Sequence, residues 1–417
     1  MSYVSHLSCT LCHANYDLSP HLMTCPKCGE KGILEVVYDY AAMKEKINRH
    51  YFKNQPVFNM WRYAPLMSLE TTDFSNTLSV GGTPHYRARS LEKIYDFKQC
   101  FLKDEGLNPT ASLKDRASAV AVIKAKENNQ TTIACASTGN AASSLAGNAA
   151  RANLKTKIFV PKRSPSGKMA QLRAFGADIY SVDGDYKAAY QLSKAAIDHY
   201  GWYNRNAAIN PHLIEGKKTV AYEIAEQMDF QPPDWVVLSV GDGCTIGGVY
   251  KGFKDLYEIN LITKIPRLLG VQAEGCQPFV KAFNGKRDLE ESDEDTIADS
   301  IAVGIPRNPI KGLNAVIMSH GDYLAVSDTA ILKASKVLSN KEGIFAESAA
   351  AAALAGAIKA RRNNIIKHDE SLSIIISGNG LKDPNHLDKI IPAPTMMKND
   401  LNALQKHLDQ QKEANHE

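Results

Sequence analysis

The sequence predicts an α/β fold, parallel sheets flanked by helices, preceded by a small metal-binding module. Five short segments, TTIACAS, TKIFVP, DWVVLSV, RLLGVQA and SLSIIIS, are almost continuously apolar. Strands that read this way are buried on both faces, which is the situation of parallel sheets covered by helices. Amphipathic stretches alternate with them. Four of the eight cysteines form two C-x-x-C pairs within the first thirty residues.

Composition bounds the function. At 417 residues the chain has material for two or three domains and a large core. Its 49 basic and 45 acidic residues leave a net charge of +4, so nothing asks for nucleic acid or an anionic membrane, and a small-molecule partner is expected. The N-terminus lacks the basic-then-apolar pattern of a signal peptide, and no apolar run is long enough to span a bilayer. A cytoplasmic protein is expected, with Cys100, Cys135, Cys244 and Cys276 as free thiols.

The first element, residues 1–35, reads as a zinc ribbon: Cys9 and Cys12 on one knuckle, Cys25 and Cys28 on the other, with Pro26 and Gly29 at turn positions. Four thiolates suit tetrahedral zinc, and a full ligand set makes the metal structural. A disulfide or redox pair is the competing reading; it lacks the βαβ context such pairs keep. Residues 36–65 are aromatic and charged, with helical pieces. VGGTPHYRA then makes a turn before an extended segment. At the far end, residues 396–417 form a polar helical tail with Leu401, Leu404 and Leu408 at helical spacing, a docking or surface helix with a frayed end. A homodimer is compatible with it, though the sequence does not decide one.

Three strands end alike: TTIACAS in Thr138-Gly139-Asn140, DWVVLSV in Gly241-Asp242-Gly243, and SLSIIIS in Gly378-Asn379-Gly380. Ligands of open α/β folds gather at carboxyl ends of strands, where glycine lets backbone approach closely. VGDGCTIGGVYKGF runs from a strand through a glycine-rich turn into a helix, a shape that suits a monophosphate. Lys114, in NPTASLKDRASAV, stands where a loop becomes a helix. That position is poor for a structural lysine, because a helix N-terminus already carries positive partial charge. It suits a lysine that attacks a carbonyl as a free amine, since such a lysine needs a lowered pKa. Phosphate cup, reactive lysine and polar strand ends together suggest pyridoxal phosphate.

NPTASLKDRASAV, ASTGNAASS, IEGKKTVAYEIAEQM, VGDGCTIGGVYKGF, GVQAEG, EGIFAESAAAAALAG and SGNGLKD, in this order between residues 60 and 390, resemble the threonine synthase family, within the fold type II pyridoxal-phosphate enzymes. The ribbon is similar to one found in some members. The resemblance implies two open, twisted, mostly parallel sheets. It implies a large cofactor domain (36–116 and 224–395) and a smaller mobile one (117–223). It makes Lys114 the Schiff-base lysine and proton shuttle, and sets Asn140 against the cofactor's O3′. Gly241, Asp242, Gly243, Cys244 and Thr245 would hold the cofactor phosphate, and Ser377 would meet the pyridine nitrogen. Ser137, Thr138 and Gly139 would contact the amino-acid substrate. Taken singly, Asn140 reads equally as a helix cap, Ser377 as a turn residue, and Asp115-Arg116 as a surface or helix-start pair.

One stretch departs from the family pattern. A segment of the type N-S-x-N-P-x-R-x-E-G supplies the family's second anion site, for the substrate phosphate; here it is AAINPHLIEG, with Ala207, Ala208 and Leu213 in place of amide, hydroxyl and guanidinium. Lys162, Arg163, Ser164, Ser166, Lys168, Arg205 and His212 are nearby substitutes, read here rather as solvent-facing. Ala111 and Leu113 replace the usual glycine and phenylalanine before Lys114. The reading is a threonine synthase-like lyase: γ-elimination of phosphate from O-phosphohomoserine, then addition of water. The alternative is β-elimination or β-replacement on a small amino acid such as serine, threonine or diaminopropionate. A non-catalytic protein is disfavoured by the intact Lys114, Asn140 and Ser377.

Overall fold

A computed structural model of the chain describes residues 3–19, 22–162, 166–206, 208–286, 288–383 and 391–414. The strands are β1 (Val4–Cys9), β2 (Asn15–Tyr16), β3 (Leu34–Tyr38), β4 (His85–Arg87), β5 (Gln99–Asp104), β6 (Thr132–Ala136), β7 (Lys155–Pro161), β8 (Asp178–Val182), β9 (Tyr203–Asn204), β10 (Trp235–Ser239), β11 (Arg267–Ala273), β12 (Asp322–Val326) and β13 (Ser371–Ile376). They make three sheets. β2-β1-β3 is a small antiparallel sheet, β12-β11-β10-β13-β5-β4 a six-stranded one, and β8-β7-β6-β9 a four-stranded one. The four-stranded sheet is parallel throughout, and the six-stranded sheet departs from parallel only where β4 runs against β5. The five continuously apolar segments are β6, β7, β10, β11 and β13.

The alanine-rich helix Ser348–Arg362 shows how local sequence sets packing. Its alanines are almost all buried, and a side chain at Gly356 would stand 2.3 Å from a Val271 methyl. Small residues let this helix lie directly on β10, β11 and β13. Lys359, Arg361 and Arg362 in its last turn complement its dipole.

The N-terminal module is part of the main core. Leu7, Leu34, Val36 and Tyr38 pack in one cluster with Ile246, Val249 and Phe253 of the helix Cys244–Glu258. Lys251 Nζ donates to Val36 O at 2.9 Å and Lys311 Nζ to Leu34 O at 2.8 Å. These two buried lysines are thus satisfied by backbone carbonyls of β3. At the other end of the chain, the helix Leu401–Ala414 leaves Leu401, Leu404 and Leu408 exposed (67, 40 and 45%), so it is a surface helix. No helix among the described residues is long and apolar enough to cross a membrane.

Candidate active site

Lys114 is the first residue of the helix Lys114–Glu127 and is half-buried. The loop before it is fixed from several directions. Asp115 accepts hydrogen bonds from Thr110 N (2.8 Å), Thr110 Oγ1 (2.9 Å) and Asn148 Nδ2 (2.8 Å). Burial pushes its carboxyl up, against these bonds, to about 6. Arg116 turns the other way, into ion pairs with Glu105 (2.6 Å) and Glu223 (2.7 Å). Both residues are fully buried and neither pairs with the other, so the surface-pair reading of Asp115-Arg116 is overturned. Leu113 N donates to Ser377 O (2.9 Å) and Asn379 N to Ala111 O (3.1 Å), lacing the loop to the end of β13. Lys114 Nζ itself has no partner among the described residues. Ser377 is half-buried, its hydroxyl likewise unengaged.

At the end of β6, Ser137, Thr138 and Gly139 are half-buried. A side chain at Gly139 would meet nothing within 4 Å, so the chain borders open space there. Asn140 is not the helix cap; Gly139 holds that position. The Asn140 amide instead donates to both carboxylate oxygens of Glu347, at 3.1 and 2.9 Å. Burial pushes the Glu347 carboxyl up, while Asn140, Lys382 and Lys114 act against that. Glu347 N donates to Gly378 O at 3.0 Å. Glu347 thus joins the ends of β6 and β13, a role sequence reasoning missed although EGIFAESAAAAALAG had been singled out.

The third strand end is Gly241-Asp242-Gly243-Cys244-Thr245, leading into the 15-residue helix Cys244–Glu258. Gly243 has φ +81°, and a Cβ there would lie 2.6 Å from Asn308 O and 2.7 Å from the Phe279 ring. Only glycine fits. Asn308 N donates to Asp242 O (3.0 Å) and Arg307 N to Asp242 Oδ1 (3.3 Å), which holds the loop's shape. The free N–H groups of a helix first turn, with its dipole, make an anion site.

The altered segment lies beside this loop. Leu213 is 1% exposed, packed in an apolar cluster with Ala117 and Ala121, and Ala208 packs against Cys244 and Ile33. Ala207 lies outside the described residues, as do Arg163, Ser164 and the side chains of Ser166 and Lys168. Lys162 is exposed and pairs with Asp183 at 3.2 Å. Arg205 and His212, expected to face solvent, are buried. His212 Nδ1 lies 2.7 Å from Ser68 Oγ, and burial pushes its imidazole down to about 3, so it is neutral at pH 7 and cannot replace a guanidinium.

Two groups can be tested against this architecture. An unpartnered lysine amine, an open glycine edge and a helix N-terminus behind an obligate glycine turn fit pyridoxal phosphate in reactive group, space and charge. In the ribbon, the sulfurs of Cys9, Cys12, Cys25 and Cys28 lie within 4.8 Å of one another. The Cys12 and Cys25 sulfurs are 3.6 Å apart, close to the ~3.8 Å edge of a tetrahedron with 2.3 Å zinc–sulfur bonds.

The comparisons agree with the geometry. The pyridoxal-phosphate dependent enzyme family matches residues 77–378. A threonine synthase of Methanocaldococcus jannaschii is 37% identical over 403 residues, 96% of this chain and 98% of that protein. One from Methanosarcina acetivorans is 37% identical over 402 residues, 96% and 97% of the two chains. Among solved structures, threonine deaminase isoform 2 from Solanum lycopersicum superposes with a TM-score of 0.63 at 24% identity, covering 74% of this chain and 86% of that one. Diaminopropionate ammonia lyase from Escherichia coli does so with 0.64 at 18%, covering 82% and 91%. At these identities the structural matches show the fold.

Proposed function

We propose, from the premise that this chain belongs to the threonine synthase family of pyridoxal-phosphate-dependent enzymes, that its reaction is loss of phosphate from O-phosphohomoserine followed by addition of water to give threonine. The enzyme is a carbon–oxygen lyase of the threonine synthase type. The observation that carries the assignment to this site is the unpartnered Lys114 amine beside a loop laced to the end of β13, which Glu347 ties in turn to the end of β6.

Pyridoxal phosphate, when bound, would supply an electron sink that acidifies the amino-bearing carbon and, once that carbon has lost its proton, the carbon beside it. Lys114 Nζ would anchor it covalently and, once displaced by substrate, carry a proton between the substrate's carbons. The N–H groups around Gly241–Thr245 would hold its phosphate. Asn140, its amide plane set by Glu347, would face the ring oxygen. Ser377 would meet the pyridine nitrogen with a neutral hydroxyl, which leaves that nitrogen largely unprotonated and favours elimination and replacement over transamination. Ser137, Thr138 and the open edge at Gly139 would receive the substrate's α-carboxylate. Residues 117–223, carrying these groups, would be the smaller unit that closes over substrate and excludes water.

In the N-terminal module, Cys9, Cys12, Cys25 and Cys28 would hold a structural zinc ion.

A β-elimination or β-replacement reading is favoured by one observation, the buried, apolar Leu213 where the resemblance calls for a guanidinium. Turnover decides. Phosphate released and threonine formed from O-phosphohomoserine supports the first reading. Inertness to it, with ammonia and a 2-oxo acid formed from serine, threonine or diaminopropionate, supports the second.

A further inference from the structure

Most deeply buried cations of this chain have a carboxylate. Lys103 pairs with Glu223 (2.6 Å), Arg116 with Glu105 and Glu223, and Lys218 with Glu215 and Asp255. Two do not. Lys217 is 3% exposed, and its amine has no hydrogen-bond or ion-pair partner among the described residues. Arg205 is 2% exposed, and its guanidinium donates only to Ser118 Oγ, at 3.1 and 3.0 Å. A buried cation without a counter-charge is costly, so native structures pair it or place it where a ligand does.

The packing that delivers Lys217 is built in. It ends the helix His212–Lys217, which two glycines wedge into place. A Cβ at Gly216 would stand 2.0 Å from Arg116 O, and one at Gly248 would stand 3.0 Å from Lys217 Cβ. The helix is therefore seated between the Lys114 helix and the Cys244 helix. Burial, the ammonium of Lys114 and the guanidinium of Arg205 lower the Lys217 pKa to about 8, while Cys244 and Asp242 act against them. Like charges converge beside a helix N-terminus, and at pH 7 the amine is still mostly protonated.

We propose that Lys217 and Arg205 form an anion subsite beside the Gly241–Thr245 loop that takes the phosphate of a phosphorylated amino-acid substrate, or the inorganic phosphate released from it. The inference rests on the reading above that the substrate carries phosphate. It relocates that recognition by one helical turn, from position 213 to position 217. Two cations that each offer several donors match a tetrahedral dianion. The cofactor's own phosphate has the same chemistry, so the test separates the two.

The probe is inorganic phosphate bound to holoenzyme, measured by equilibrium dialysis. Cofactor affinity is measured separately by absorbance titration of the apo protein. Lys217→Met keeps the volume of the stem and removes the charge. It should weaken phosphate binding at least about tenfold and leave cofactor affinity within about twofold. Lys217→Arg should keep phosphate binding near the parent value, and Lys217→Gln serves if the Met variant does not fold. Unchanged phosphate binding in the neutral variant overturns the proposal. So does a parallel loss of cofactor affinity, which would assign the two cations to the cofactor's phosphate. Neither readout uses O-phosphohomoserine turnover, so an enzyme inert to that substrate would count against the function and leave this result standing.

Discussion

Ala111 has a φ of +65°, three residues before Lys114, and Ala208 one of +70° beside the glycine loop. A side chain with Cβ is strained in this left-handed region. Ala111→Gly should therefore raise stability by about 1 kcal/mol, read as a higher melting temperature of the apo protein. The same strain explains why glycine is the usual residue there in the resembling family. Lys114→Ala should abolish the yellow absorbance and the turnover together; retained absorbance would remove Lys114 from its role. Ser377→Asp should shift the absorbance and the product profile toward protonated-pyridine chemistry, and an unchanged spectrum would place Ser377 away from the nitrogen. Lys114, Asn140 and Ser377 stood out in the sequence because each sits in a contiguous motif, Lys114 at a helix start and the other two at strand ends. Glu347 and Lys217 were not, because what distinguishes them is burial and partnership. The Asn140–Glu347 bond spans 207 residues, a distance no local pattern encodes.

The ribbon illustrates the scale of elements. Tyr38, at the end of β3, donates its hydroxyl to Glu215 on the short helix that carries Lys217, and Ile33 touches both Ala208 and Cys244. The module thereby touches the helix His212–Lys217 and the start of the helix Cys244–Glu258 as well as the core. Tyr38→Phe should cost about 1–3 kcal/mol, since it leaves a buried carboxylate short of a donor, and should weaken phosphate binding along with it. Metal analysis of protein purified without chelator should find one zinc per chain; its absence would sink the ribbon assignment. Among the strands, β6, β7, β10, β11 and β13 were readable from continuous apolar runs. β8 was not, because it lies at a sheet edge and is mostly exposed. β3 was passed over although LEVVY alternates buried and half-buried residues, the period-2 signal of a strand with one solvated face.

At the scale of the molecule, the buried Arg116–Glu105–Glu223–Lys103 network locks the Lys114 helix to the six-stranded sheet. Burial alone would raise the Glu223 carboxyl; Arg116 and Lys103 outweigh it and hold it down to about 2. Its folded pKa thus lies below the unfolded value of roughly 4.3. The stabilisation is present in full above that value and is lost as pH falls through about 2. Melting temperature should hold from pH 7 to about 5 and drop steeply below about 4, less steeply in Glu223→Gln, which starts from a lower stability than the parent. The parallel α/β class was legible in the sequence because buried parallel strands announce themselves. The fusion of the ribbon to the core and the exchange of position 213 for position 217 were not, because both depend on which distant surfaces meet.

The central claim is the reaction, and the direct measurement is to incubate purified holoenzyme with O-phosphohomoserine while following phosphate and amino-acid products. Stoichiometric phosphate and threonine are the predicted result. No phosphate release at high substrate, with turnover of serine, threonine or diaminopropionate instead, would contradict it and make Leu213 the mark of a different substrate.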